Sequence, residues 1–325
     1  MGLLTSLLHP EGFHGHGKTS RFFEGWYVKL VSVDRSQRWA VIPGVFLGQK
    51  GGGEAFVQVL DGATKRSWYQ RYPLEQFEAR ADTFEARVGP NRFSRTGVSL
   101  ELTEGPLRGS LTFSALNPWP VTLTSPGIMG WYAWMPFMEC YHGVVSFHHT
   151  LAGTLEIEGT PVSFDGGVGY LEKDWGRAFP AGYVWMQTNH FQTPETSLVA
   201  SAAIIPWLGT SFPGFIAGFW QRGVLHRFAT YSGARIERLD VDDTHVHMTF
   251  ADARLRLEVS SERRGGGLLH APVRTEMHKR VEESLDAEVH VKLSEVGGRT
   301  LFEEVGRVAG LEVHGELDRL TGMAK

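Results

Sequence analysis

The chain is poor in the features that announce most catalytic and binding classes. One cysteine, Cys140, stands in 325 residues, which excludes an intramolecular disulfide and a zinc ribbon and fits a reducing compartment. No HExxH and no GxSxG occurs, and the glycine-rich GQKGGGEAF at Gly48 lacks both the lysine-hydroxyl pair and the strand-to-helix setting of a phosphate loop. Long runs of one charge sign are missing: 32 Lys and Arg stand against 36 Asp and Glu, a net charge of -4. Nucleic acid is therefore not an expected partner. At 21% charged and 42% hydrophobic residues the chain is too apolar for intrinsic disorder. The opening MGLLTSLLHPEG has no basic region before its short apolar run and no small-residue cleavage site, so no secretory signal is expected.

Glycine, proline and aromatics are plentiful, with 39 Gly, 15 Pro, ten Trp, eight Tyr and 20 Phe. Apolar and polar residues alternate in short runs: FEARV from Phe84, SLELTEG from Ser99, SLTFSAL from Ser110, TLEIEG from Thr154, THVHMTF from Thr244, ARLRLEVS from Ala253 and AEVHVKLSE from Ala287. Period two is the strand period, and turn signals such as Asp61-Gly62 and Gly297-Gly298 separate the runs. The pattern predicts an all-β fold; PLEQFEARAD from Pro73 and the C-terminal LDRLTGMAK are the modest helical candidates. Two stretches, 117–138 and 197–220, carry no charge, but their prolines and glycines oppose a membrane-spanning helix. The second is expected to be a strand pair, LVASAAII and FIAGFW, and the first an aromatic loop or two short strands. FFEGWYVKL from Phe22 and FPAGYVWMQ from Phe179 echo one another about half a chain apart. A duplicated barrel would explain this, with domains 1–176 and 177–325.

Two stretches carry candidate chemistry. In GYLEKDWGRAFPAGYVWMQTNHF, strand alternation puts Tyr170, Glu172 and Asp174 on one face and Leu171, Lys173 and Trp175 on the other. Two carboxylates this close cannot both ionise cheaply in a poorly solvated site, so a proton shared into the neutral range is expected. The same charges also read as ion pairs, with Lys173 or Arg177 as partners. Further on, Trp185, Gln187 and Asn189 share a face suited to a cavity wall. In GFHGHGKTSRFFEGWYVKL, Glu24 shares a face with Trp26 and Val28, and an apolar wall favours the protonated form a general acid needs. A pairing with Lys29 or Arg21 is the competing reading. His14 and His16, His148 and His149, and His245 and His247 have chelating spacing but no accompanying ligand set, so no metal is expected.

Together these stretches resemble the tocopherol cyclase family, in the lipocalin-like two-barrel group that includes carotenoid hydratases. FFEGWY at Phe22–Tyr27, Y-x-EK-[ND]-WG-x-x-FP at Tyr170–Pro180, W-x-Q-x-N at Trp185–Asn189 and an L-x-AP segment, LHAPVRTEM from Leu269, carry the resemblance. It implies two consecutive antiparallel lipocalin-like β-barrels. It also implies a cofactor-independent reaction in which an acid protonates the alkene of a prenylated hydroquinone and a phenolic oxygen closes a chromanol ring. Glu172, Asp174 and Glu24 are then the acid candidates. Trp26, Tyr27, Trp175 and Trp185 would stabilise the cation, Tyr170 would join them in binding, and Gln187 and Asn189 would orient the quinol. Hydration or cycloaddition of an isoprenoid or polyketide in such a pocket, and lipid carriage without catalysis, are the alternatives. The expected partner is a hydrophobic small molecule. The expected location is the cytoplasm, with the stretch Trp119 to Phe137 either a packed loop or a surface resting at a lipid interface.

Overall fold

The computed structural model describes residues 2–49, 51–273 and 276–324. A short helix, α1 (Leu3–Leu8), precedes β1 (Phe22–Val31), β2 (Arg38–Leu47), β3 (Gly53–Asp61), β4 (Ser67–Tyr72), β5 (Phe77–Ala79) and β6 (Glu85–Val88). There follow β7 (Asn91–Ser94), β8 (Gly97–Glu101), β9 (Leu107–Ser114), β10 (Cys140–Ile157), β11 (Thr160–Ser163) and β12 (Val168–Gly176). These form a twelve-stranded sheet ordered β4-β3-β2-β1-β12-β10-β9-β8-β7-β6-β5, with β11 on β10.

The second sheet has ten strands. They are β13 (Gly182–Thr188), β14 (Thr196–Trp207), β15 (Thr210–Gln221), β16 (Val224–Ala229) and β17 (Arg235–Val241). They continue with β18 (His245–Ala251), β19 (Leu255–Glu262), β20 (Gly267–Pro272), β21 (Met277–Glu295) and β22 (Thr300–Gly315). Their order is β16-β15-β14-β13-β22-β21-β19-β18-β17, with β20 on β21. Neighbouring strands run antiparallel. In each sheet the first strand lies between the second and the last, so β1 and β13 hold equivalent places. A duplicated barrel that opens on the echoed segment requires this arrangement.

Two compact units result, Met1–Phe179 with Leu268–Arg280, and Pro180–Gly267 with Val281–Lys325. The return segment is held in the first unit by Gln58, whose amide donates to His270 O at 3.2 Å and accepts the His270 N–H at 2.7 Å, and by a Tyr69–His270 stack at 4.1 Å. Of LHAPVRTEM, Arg274 and Thr275 lie outside the described residues.

Each unit wraps its sheet around its own apolar core, which is why alternation was visible. Trp26, Val28 and Leu30 of β1 enter the first core with Val41, Val57 and Leu171; Val184 and Met186 of β13 enter the second with Leu198, Phe219 and Leu311. Each such side chain contributes roughly 1.5–3 kcal/mol by leaving water. LVASAAII and FIAGFW form the β14–β15 hairpin. LDRLTGMAK contains α2 (Leu317–Met323), which buries Leu320. PLEQFEARAD is not an α-helix: a 3-10 turn at Leu74–Gln76 leads into β5, because Phe77 and Ala79 face the core and pair with β6. Tertiary burial overrides local preference there. The stretch 117–138 is a loop with a 3-10 segment at Gly127–Trp134. No helix among the described residues is long and apolar enough to cross a membrane.

Candidate functional site

Strand β12 carries chemistry on both faces, and its partners are fixed by register. β1 pairs with it so that Trp26 lies opposite Lys173, Glu24 opposite Trp175 and Tyr27 opposite Glu172. From the other side β10 sets Gly143 opposite Lys173 and His142 opposite Asp174. Gly143 leaves room for the lysine stem, since a Cβ there would lie 3.3 Å from the Trp175 ring and 3.5 Å from Lys173 Cγ. Gly176, which ends β12, has φ +154°, and a Cβ there would meet the Glu139 carbonyl oxygen at 2.2 Å.

The core-facing side holds a buried ion pair. Lys173 and Glu24 are both fully buried, and the Lys173 ammonium donates to Glu24 Oε1, to Gly12 O and to His14 Nδ1, the last at 3.0 Å. All three of its hydrogens are thereby used. Glu24 also accepts the His14 backbone N–H at 2.8 Å. Burial pushes the Glu24 carboxyl up, but Lys173 and His14 outweigh it and hold it below the usual carboxylate range. The expected raised acid is therefore not found at Glu24, and its partner is Lys173 rather than Lys29 or Arg21. Burial and Lys173 lower His14, against the pull of Glu24, so its neutral ring accepts from Lys173 and donates from Nε2 to Ser6 O at 3.1 Å. The Lys173 ammonium also lies 4.8 Å from the Trp26 ring centroid and 4.6 Å from that of Trp175. These two indoles already hold a cation, and His14 stacks on Trp175 at 4.2 Å. Trp26 is fully buried, with its indole N–H bonded to Glu11 O at 2.9 Å.

The opposite side of β12 gathers Tyr170, Glu172 and Asp174, as the alternation requires, with Tyr27 beside Glu172. Tyr170 donates its hydroxyl to Glu172 Oε2 at 2.5 Å. Between the carboxylates sits His142, with Nδ1 2.9 Å from Asp174 Oδ1 and Nε2 3.3 Å from Glu172 Oε2. Burial alone would push this imidazole down, but Glu172 and Asp174 outweigh it and raise it to about 10. The proton expected between the two carboxylates is thus carried by an imidazolium, and Lys173, on the other face, partners neither of them. His142, Glu172 and Asp174 also bring their donor atoms within 4.8 Å of one another, a spacing that could hold a metal ion. His142 escaped notice in the sequence because no local motif marks it; only the β10–β12 register brings it to Asp174.

Trp185, Gln187 and Asn189 belong to the second unit and are buried there. Trp185 and Gln187 point away from the side of β13 that sends Val184 and Met186 into the core.

The tocopherol cyclase-like family model matches residues 110–315, more than half of the chain. A probable chloroplastic tocopherol cyclase of Oryza sativa subsp. japonica is 29% identical over 282 residues, which cover 69% of this chain and 59% of the rice protein. A chloroplastic tocopherol cyclase of Zea mays is 30% identical over 109 residues, 32% of this chain and 23% of the maize protein. The chain therefore spans about three fifths of the rice relative and a quarter or less of the maize one. The solved structure of CghA with Sch210972 superposes with a TM-score of 0.55 at 12% identity, covering 91% of this chain and 89% of CghA. That likeness speaks for the two-barrel fold. With the family model spanning both sheets and the motif residues placed on adjoining strands, the chain belongs to the tocopherol cyclase-like family.

Proposed function

We propose that the chain is an acid-catalysed cyclase acting on a prenylated hydroquinone, with Glu172 as the proton donor. The observation that carries this reading is the series Tyr170, Glu172, His142 and Asp174, the first two buried and the last two partly so, which sets an imidazole between two carboxylates. A proton shared with His142, whose Nε2 lies 3.3 Å from Glu172 Oε2, would give a neutral carboxyl. Glu172 would then donate to the less substituted alkene carbon, leaving a tertiary cation. The phenolic oxygen attacks that cation, the ring closes, and the phenolic proton returns to the carboxylate and imidazole pair. Atoms and charge balance, and the net reaction is an isomerisation that needs no redox partner. Asp174 holds the His142 ring in place and keeps it charged between turnovers. With Lys173 occupying the Trp26 and Trp175 faces, Tyr27 and Tyr170 are the aromatic groups beside Glu172 that could stabilise the cation.

The same acid would serve a hydratase if water reached the cation, and water exclusion decides between the two. A peripheral membrane contact accompanies the proposal: Trp131 and Phe137, in the loop before β10, are exposed large apolar side chains suited to a lipid interface. Rates with a short-tailed prenyl hydroquinone test the acid assignment. Glu172→Gln should lose about 10²-fold or more while remaining folded, whereas Glu24→Gln should chiefly lose stability. Equal rates for the parent and a folded Glu172→Gln would remove Glu172 as the donor.

A further inference from the structure

A cavity of about 580 Å³ opens in the first unit beside α1 and the 3-10 segment Gly127–Trp134. This lies within the roughly 300–1,000 Å³ of small-molecule pockets. The His14–Trp175 stack contributes to its lining, and Leu7, Met129, Trp134 and Met138 give it apolar walls. Tyr170, Glu172, Asp174 and His142 do not line it, since they leave β10 and β12 on the side opposite Trp175.

Its charge is one-sided. Lys18, Arg21 and Arg177 line it, and no Asp or Glu does. Among the described residues none of the three makes an ion pair, and the Lys18 ammonium rests instead 3.9 Å from the Phe22 ring centroid. Partial desolvation of its ammonium lowers Lys18, although the residue as a whole is exposed, and Arg177 pushes the same way against the attraction of Glu24. Cations gathered without a counter-charge are stabilised by a bound anion.

The run Gly12–Thr19, GFHGHGKT, spells the phosphate-loop pattern GxxxxGK[ST], but its geometry is wrong for a nucleotide. Strand β1 follows it rather than a helix. The backbone N–H groups of Gly12, Phe13, His14 and Lys18 are already bonded to His9 O, Arg80 O, Glu24 and Gly15 O. With no helix after the loop to aim its remaining amides at a phosphate, Lys18 acts as a point charge at the cavity.

We propose that this cavity binds a single-chain amphiphile with an anionic head, a carboxylate or a phosphate monoester. The chain lies along the apolar walls and the head meets Lys18, Arg21 and Arg177. Leu4 and Leu8 on α1, and Trp131 and Phe137 on the stretch 117–138, are exposed apolar side chains on the two segments that also supply lining residues to the cavity. The site is independent of the reaction at Glu172.

Calorimetric titration of the delipidated full chain with oleate, oleyl phosphate, oleyl alcohol and butyrate tests it. One equivalent of an anionic amphiphile should bind, about tenfold or more tighter than oleyl alcohol, while butyrate should show no saturable binding. The better of oleate and oleyl phosphate identifies the head. The triple variant Lys18→Gln, Arg21→Gln, Arg177→Gln, all at exposed positions, should lose that preference and keep its affinity for oleyl alcohol. Ala133→Trp, which fills the cavity, should weaken all the long-chain ligands. No binding, equal affinity for oleate and oleyl alcohol, a preference retained in the triple variant, or unchanged binding in Ala133→Trp would each overturn the assignment.

Discussion

Replacing Lys173 by Met should be among the most destabilising single changes in the first unit. The side chain is fully buried, and so is its partner Glu24. Removing the lysine leaves a carboxylate in an apolar core with the His14 backbone N–H and ring as its recorded polar contacts. Breaking a buried pair from one side costs about 3–5 kcal/mol, or roughly 6–20 °C in melting temperature for a unit of this size. The double change Lys173→Met with Glu24→Gln removes both charges and should recover most of the loss. The pH dependence gives a sharper check. In the parent, Glu24 titrates below its unfolded value, so its stabilisation is present above that value and is lost as pH falls through the folded pKa. In Lys173→Met, burial dominates and Glu24 titrates above its unfolded value, which favours the folded state at low pH. The gap between variant and parent should therefore narrow as pH drops from 7 to about 4. Thermal melts followed by tryptophan fluorescence at several pH values measure this. A single variant melting within about 2 °C of the parent, or a gap that does not change with pH, would refute the buried-pair account.

Other expectations follow from the same geometry. His142, raised to about 10, contributes stability that is fully present below its unfolded value near 6.5 and is lost as pH rises through about 10. Melts between pH 7 and 10.5 should thus fall more steeply for the parent than for His142→Gln, and parallel slopes would contradict the carboxylate clamp. Gly176→Ala should cost about 1–3 kcal/mol, because its Cβ would meet the Glu139 carbonyl oxygen at 2.2 Å; chemical denaturation reads the loss. Replacing Trp131 and Trp134 by Ser should reduce flotation with liposomes, and unchanged flotation would count against a lipid-facing loop.

The alternation of side chains made much of this molecule legible. It located the strands, put Tyr170, Glu172 and Asp174 on one face, and marked the charge-free stretch 197–220 as a hairpin. It also contained a constraint that the pairing expectations overlooked: Glu24 and Lys29 are an odd number of residues apart on one strand, so they face opposite ways. Lys173 is likewise turned away from Glu172 and Asp174. What local pattern could not supply was register between distant strands. Glu24 and Lys173 are 149 residues apart, and His142 and Asp174 are 32 apart; only the order β1-β12-β10 makes them neighbours. The role expected for Trp26 and Trp175 changed for the same reason, since the cation between them is the protein's own.

Cyclisation of a short-tailed prenyl hydroquinone in deuterium oxide tests the central claim most directly. If an acid exchanging with solvent protonates the alkene, the chromanol should carry one non-exchangeable deuterium on the carbon next to the ring-closing centre, and Glu172→Gln should form it about 10²-fold more slowly. No chromanol from the parent, or a chromanol without that deuterium, would contradict the account.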